Sequence, residues 1–438
     1  MRKLCALAAA SAFAAMPAIA HAQDALADAG DSGDTAWILT SSALVLMMTL
    51  PGLTLFYGGL LRTKNVLSVM IQCGAIAGVA SLLWIICGYS MAFGDVSAGP
   101  LGGWLGSRNA LMLSNLGNVR DGYAVPESAF ALFQMMFAAI TPALMVGAWV
   151  DRARFGWVVA FCALWGLVVY APVAHWVWGG GWLASKFGTL DFAGGIVVHT
   201  TAGVSALVIA LLLGKRKGFP KTLMLPHSPV LVMTGAALLW VGWFGFNGGS
   251  AVAANDDAAS AIINTHAGAC AAAMVWLVIE RFAVGKSTAI GFATGAVAGL
   301  ATITPAAGMV SPGSAILIGV AAAAVCYPMI RLIKSKLEID DSLDVFAVHG
   351  VGGMTGSLLL ALFMAPALGG TGDPETYSIV HQLGGQAVGV FVVALWSIVA
   401  SVVLALGVSW IIPMRVSEDA EREGLDLTSH GERGWEFD

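Results

Sequence analysis

Charge is the scarcest commodity in this chain. Of its 438 residues only 11% are Asp, Glu, Lys or Arg, while 58% are hydrophobic, against roughly 25% charge in an ordinary soluble domain. So little charge excludes a solvated globular enzyme and implies an integral membrane protein. Paired cysteine is also absent. Cys5 lies in the N-terminal segment, and Cys73, Cys87, Cys162, Cys270 and Cys326 are scattered singly through apolar runs with no CxxC. Neither a disulfide framework nor a thiolate metal site is suggested, and no cofactor and no enzymatic activity are expected. The formal net charge of −5 carries little information, because the placement of charge matters more than its sum; no nucleic-acid partner is expected.

What the chain has instead is long apolar runs. Met1-Arg2-Lys3, the run CALAAASAFAAMPAIA and the small-residue site Ala20-His21-Ala22 are the three parts of a secretory signal peptide. Residues 1–22 are therefore read as a cleaved signal, with an uncleaved first helix as the alternative. A membrane span needs about 20 apolar residues. On that rule the mature chain holds eleven, at about 37–59, 66–93, 127–149, 156–178, 193–214, 228–248, 259–279, 289–308, 314–330, 345–365 and 385–414. Odd-numbered connections carry fourteen Lys and Arg residues, from Arg62 and Lys64 to Arg415; the others carry three, Arg108, Arg120 and Lys186. The positive-inside rule then places the mature N-terminus outside and the C-terminus in the cytoplasm. Residues 415–438 turn abruptly charged and read as a cytoplasmic tail after the membrane domain of 23–414.

Two fragments recur. ITPA occurs at 140–143 and 303–306, and an Asp/His/Gly pattern occurs as Asp191/His199/Gly203 and as Asp341/His349/Gly353. Both pairs lie five spans apart. Five is odd, so the two halves cross in opposite directions, the inverted repeat of transporters with a site at the repeat interface. Eight residues at 1.5 Å each carry each His about 12 Å below its Asp, into a hydrocarbon core ~30 Å thick. His199 and His349 thus approach the midplane from opposite faces.

An ionisable group at that depth is a functional candidate, because charging it there is expensive. One neutral imidazole donating to the other's bare nitrogen would satisfy both; the alternative is that each ring bonds a neighbouring helix. Paired histidines also hold haem, but no cofactor motif accompanies them. A zinc site needs further ligands, and the Asp residues sit too far along the axis; they are placed instead as helix caps.

DFAGGIVVH (191–199), WFGFNGGSA (243–251), ATITPAAG (301–308), DDSLDVFAVHGVGG (340–353) and SEDAEREGLDLTSHGERGW (417–435) together resemble the ammonium transporter family, related to Rhesus proteins. The resemblance covers nearly the whole mature chain, in order. It implies an all-α polytopic membrane protein of eleven transmembrane helices, an inverted five-helix repeat plus a final helix, assembled as a homotrimer with a pore in each subunit. Carried over by position, Trp178, Phe137 and Ser250 match the outer ammonium-recruitment site, Asp191 the buried acid supporting it, and Thr304 a threonine near it. Phe137 and Phe246 match the stacked pair closing the outer mouth, and His199 and His349 the twin histidines of the lumen. Asp341 and Asp344 match acids with structural roles. Gly248 and Ala307 stand where many relatives have Ala and Cys, small changes. The tail resembles a regulatory segment that packs under the neighbouring subunit and works with a PII-type signalling protein.

Ammonium carries four N–H donors, and potassium, of similar size, none. Aromatic faces return roughly 0.5–2 kcal/mol each to a cation, a serine hydroxyl accepts an N–H, and beyond the phenylalanines a narrow apolar lumen favours neutral ammonia. The function implied is uptake of ammonium across the inner membrane of a Gram-negative-type cell, with ammonia conducted past the histidines, either alone or with its proton relayed separately. Two rivals stay open: an ammonium sensor that signals through its tail with little flux, and a passive gas channel.

Overall fold

The computed structural model describes residues 30–96, 101–114, 116, 119–222 and 224–435; the expected signal segment lies outside them. Among the described residues, eleven helices are long and apolar enough to cross a membrane. In chain order, α1 to α11, they are Ser32–Leu60, Thr63–Phe93, Glu127–Ala148, Phe155–Phe187, Gly195–Leu213, Pro229–Gly248, Asp256–Ala283, Ala289–Ala306, Pro312–Lys336, Phe346–Phe363 and Ile379–Ser409. Among the described residues, the β-pairing consists of two isolated bridges, Val119 with Pro126 and Ala153 with Arg415.

The ends follow from short polar side chains that satisfy the orphan amides of a first turn. Asp31 accepts from Asp34, Ser228 from Leu231, Asn255 from Ala258, Thr288 from Gly291, Ser311 from Ser314 and Ser378 from His381. The Ser378 cap starts α11 six residues before the expected 385. Hydropathy alone did not locate that start, because His381 and Gln382 dilute the first turn. Helix α4 reaches Val177 as expected, then turns at the glycines after Trp178 into a short helix, Trp182–Phe187.

Burial sorts the spans by position. Helix α3 is enclosed on nearly every side, as a helix apolar all round must be when it stands inside a bundle. Helix α11 instead leaves Phe391, Val399 and Val403 exposed, an outward apolar face suited to lipid.

The Asp/His/Gly repeat is a contact as well as a pattern. A Cβ on Gly203 would lie 2.1 Å from the backbone N of Gly350, and one on Gly353 would lie 2.6 Å from the carbonyl O of Gly195 and 2.7 Å from His199 Cβ. Each repeat's glycine therefore seats the other repeat's histidine segment. The ITPA fragments also behave alike: Thr141 donates to Phe137 O at 2.6 Å and Thr304 to Leu300 O at 2.7 Å.

At the end of the bundle that carries the tail, three interspan loops are tied by buried charge. Arg152 donates to Gly214 O at 3.0 Å, Ser342 Oγ at 2.8 Å and Asp340 O at 2.6 Å. Arg216 forks onto both Asp340 oxygens and reaches Asp151 at 3.0 Å. Burial pushes the Asp340 carboxyl up, but the bonds and charge of Arg216 outweigh it and hold the group below its usual range.

The tail folds back against its own chain. Glu421 accepts from Lys217 N at 2.8 Å and from Arg415 at 2.7 Å; Asp426 accepts from Ser68 N at 2.7 Å, and Leu425 N donates to Asn65 at 2.8 Å. Within this chain the tail docks at the start of α2, where Asp426 supplies the negative charge that a helix N-terminus attracts.

The glycine contact sets a test. Gly203→Ala must push on backbone and is expected to cost about 3 kcal/mol, at the upper end of ordinary overpacking, whereas nothing lies within 4 Å of a Cβ on Gly74. Thermal unfolding in detergent should show a lowered midpoint for Gly203→Ala and an unchanged one for Gly74→Ala; equal midpoints would refute the reciprocal seat.

Candidate functional site

Among the described residues seven helical segments are wound with i→i+5 bonding, and three of them carry expected site residues. His199 lies in Gly195–Thr200, Phe246 in Phe244–Gly248 and His349 in Phe346–Val351. Such widened turns recur at functional sites because they re-aim a side chain within an otherwise regular helix. The Thr200 hydroxyl donates to Gly195 O, five residues back, at 2.8 Å.

The widened turn of α5 is held open at its head by Asp191. Its carboxylate accepts four backbone N–H groups: Gly194 at 2.8 Å, Gly195 at 2.7 Å, Ile196 at 2.7 Å and Val197 at 2.9 Å. With both oxygens so engaged, Asp191 is a positioning residue. It also fixes Trp178, whose indole N–H donates to the Asp191 carbonyl at 2.7 Å.

On the face of the bundle that carries the N-terminus, a cavity of about 270 Å³ is lined by Phe137, Trp178, Asp191 and Ser250. Gln134 and Arg120 line it too. The Ser250 hydroxyl donates to Phe246 O at 2.8 Å, so toward the cavity it has only acceptor capacity left. Gln134 Oε1 is buried without a partner. Gln134 is not among the residues expected from the sequence, although a polar glutamine in FQMMF, within an enclosed span, is a signal of the same kind as the histidines. Arg120 pairs with Glu127 at 3.1 Å and stacks over Phe130, its guanidinium carbon 4.6 Å from the ring centre.

Phe137 and Phe246 form the floor, with ring centres 4.3 Å apart and planes at 35°; each is 1% exposed. Trp178 meets Phe137 edge-on, at 5.9 Å and 89°. Beneath them a space of only about 10 Å³ is walled by Phe246, Trp243, Leu144, Ile140 and the two histidines. His199 and His349 are stacked, 5.2 Å between centres and 21° between planes. The expected hydrogen bond between them is not made: neither nitrogen of His199 has a partner within hydrogen-bond reach. Both nitrogens of His199, and Nδ1 of His349, are buried with no partner in the chain.

Thr304 is the other correction. It does not line the outer cavity; its hydroxyl accepts from Trp243 Nε1 at 2.8 Å, and Trp243 stacks on His199 at 5.6 Å and 27°. Thr304 therefore supports the histidine level. Trp243, which the sequence reading did not single out, is the wall it supports.

Below His349 a third cavity, of about 240 Å³, opens toward the tail face past Tyr57, Val348, Leu343 and Asp344. Asp341 stands beside it, Oδ2 accepting from Phe346 N at 2.8 Å and Oδ1 unpartnered. Burial, then the charge of Asp344, pushes its carboxyl up from 3.8 to about 6. Among the described residues no group of three or more His, Cys, Asp and Glu could hold a metal ion.

The family model described as Ammonium Transporter Family matches residues 36–435. The chain belongs to the ammonium transporter family. It is 45% identical over 414 residues to a putative ammonium transporter of Methanothermobacter thermautotrophicus, covering 92% of this chain and 98% of that one. It is 44% identical over 406 residues to an ammonium transporter of Aquifex aeolicus, covering 92% and 94%. Among solved structures, Saccharomyces cerevisiae Mep2 aligns with a TM-score of 0.80 at 38% identity over 90% of this chain and 92% of its own. A structure named Sensor Amt Protein aligns with a TM-score of 0.83 at 30% identity over 91% and 98%. This ammonium transporter family member is accordingly a multi-pass membrane protein, of a family of transporters and not of enzymes.

Asp341 gives the site a pH signature. A carboxyl whose folded value lies above its unfolded one favours the protonated form in the fold, so its contribution is complete below about pH 4 and lost as pH rises through about 6. Asp341→Asn, a neutral stand-in, should flatten the fall in thermal midpoint between pH 4 and 6 in detergent. A slope identical to that of the unsubstituted protein would remove Asp341 as its source.

Proposed function

We propose that this chain takes ammonium into the cavity at its amino-terminal face and passes ammonia, past His199 and His349, to the cavity at its tail face. The observation that carries the reading is the column itself: an aromatic and acceptor-lined cavity, a closed phenylalanine pair, two histidines with bare ring nitrogens, and a second cavity beyond. Trp178 and Phe137 offer faces to a cation, Ser250 and Gln134 offer acceptors, and Phe246 closes the floor with Phe137. Asp191 and Thr304 act through others, by holding Trp178 and Trp243.

By the distribution of Lys and Arg, the amino-terminal face is periplasmic and the tail face cytoplasmic, in a bacterial inner membrane. Residues 1–22 are the cleaved signal, 23–414 the transport unit and 415–438 a regulatory tail at which a PII-type protein acts. Assembly as a homotrimer is supported by His266, exposed on α7 beside Trp240 and Phe244; an ionisable side chain on a membrane face is costly unless protein covers it.

A second reading, an ammonium sensor, is favoured by the grip of Asp426 on the start of α2, which ties the tail to a membrane helix. Ammonium-evoked current across reconstituted membranes separates the readings: current supports the transporter with charge moving, uptake without current the gas channel, and neither the sensor.

Within the transporter reading, Trp178→Leu removes one cation–π face worth about 0.5–2 kcal/mol and should weaken apparent ammonium affinity roughly 2- to 30-fold. Unchanged kinetics would take Trp178 out of recruitment. Replacing His199 and His349 together by leucine should abolish ammonium flux or its selectivity over potassium while the protein still elutes as the unsubstituted assembly. Selective flux at the original rate would remove the histidines from the path.

A further inference from the structure

A fourth cavity, of about 260 Å³, opens on the tail face and is not part of the column. Its wall sets Arg62, Arg216, Lys221 and Lys334 against a single acid, Asp151. Two of these cations are already committed. Arg216 is held by both oxygens of Asp340 and by Asp151 at 3.0 Å, and Lys334 pairs with Asp344 at 2.8 Å.

Arg62 differs from them. Its pair with Asp151 is long, 3.5 Å, to the same oxygen that Arg216 occupies. Its Nε is buried and has no hydrogen-bond partner. A buried donor left unmade on a cation is costly, and folded proteins carry few such groups. Lys221 stands exposed at the rim of the same cavity.

We infer that this cavity is a binding site for a small multivalent oxyanion of the phosphate class, held by the Arg62 guanidinium and the Lys221 ammonium. A tetrahedral oxyanion presents oxygens to the exposed end of the Arg62 guanidinium, whose side chain is 32% accessible, and a second edge to Lys221. Multivalence is required because Asp151 shares the wall; a monoanion would exchange one weak pairing for another. The volume lies just below that of ordinary small-molecule sites, roughly 300–1,000 Å³, and suits one phosphate group with a small substituent.

The site has a route to the transport column, on the reading proposed above. Lys334, Ser342 and Leu343 line both this cavity and the exit cavity below His349. An anion bound here places negative charge beside the Lys334–Asp344 pair, so occupancy alters the charge that leaving substrate meets.

Binding is tested without transport, so its failure is distinct from failure of the transporter reading. Purified full chain in lipid-free detergent is titrated calorimetrically with inorganic phosphate, and in a second arm phosphatidic acid is added and retention read by native mass spectrometry. Saturable binding in either arm, weakened about tenfold or more in both Arg62→Gln and Lys221→Gln, supports the site, and the arm that responds tells a soluble phosphate from a lipid headgroup. Absence of saturable binding in both arms overturns it. So does binding that Lys221→Gln leaves unchanged; that variant alters an exposed side chain and reads the site even where Arg62→Gln fails to fold.

Discussion

Along the column, everything depends on how closely the backbones of α5 and α10 approach. Gly203 has no side chain because the amide of Gly350 occupies the place of its Cβ, and Gly353 has none because Gly195 and His199 do. That mutual seat brings two imidazoles into a stack without a side chain between them. It also leaves their nitrogens bare, and bare buried polar atoms cost on the order of 1–3 kcal/mol each. The fold meets that cost by packing: Trp243, braced by Thr304, and Phe246 both stack on His199. Rings held on their faces by aromatic neighbours keep their edges, and hence their nitrogens, available to a guest.

The second organising rule is that full charges stay at the ends. Asp191 sits at the head of α5 and spreads its charge over four amides, which is a helix N-terminus satisfied by one carboxylate. Asp341 caps α10 from the opposite face through Phe346 N. Between them, among the residues walling the narrow central space, the ionisable groups are the two histidines and Tyr57. At the tail face, by contrast, Arg152, Arg216, Asp151 and Asp340 form a buried lattice that fixes three loops at once, and the tail binds to the rim of that lattice through Lys217 and Arg415. A rigid mouth is thereby coupled to a segment held by a handful of polar contacts, the kind of element that opens at low cost.

Much of this was legible in the sequence because hydropathy and repeat spacing are local. Eleven apolar runs gave eleven helices, and the Asp/His/Gly spacing foretold that His199 and His349 would meet. Motif resemblance placed Phe137, Trp178 and Ser250 around one cavity. Three things were not legible. The seven widened turns leave no periodicity of their own, so the unpartnered ring nitrogens of the histidines could not be read. Thr304 sat in the right motif, but its hydroxyl orientation depends on α6, sixty residues earlier in the chain. The tail's dock on its own α2 rests on Asp426 meeting the Ser68 amide, whose exposure only the fold creates. Gln134 is a different case, for its signal was present and outweighed by the apolar residues around it.

On the proposed reading, selectivity follows from the order in which these surroundings are met. In the outer cavity a cation keeps most of its water and gains aromatic faces and two acceptors, which favours ammonium modestly over a cation that donates no hydrogen bond. The next step is far more demanding. Phe137 and Phe246 are in contact, and the space below holds about 10 Å³, roughly one water-sized probe, so a hydrated ion cannot follow. Stripping an ion of water costs several kcal/mol even after relaxation, more than one or two cation–π faces of about 0.5–2 kcal/mol return. Ammonium escapes that penalty by giving its proton to solvent in the open outer cavity and going on as ammonia; potassium has no proton to give. The discrimination thus lies less in recognising the ion than in offering, beyond a closed aromatic floor, a site that only the neutral molecule can reach, with imidazole nitrogens that nothing else in the protein has claimed.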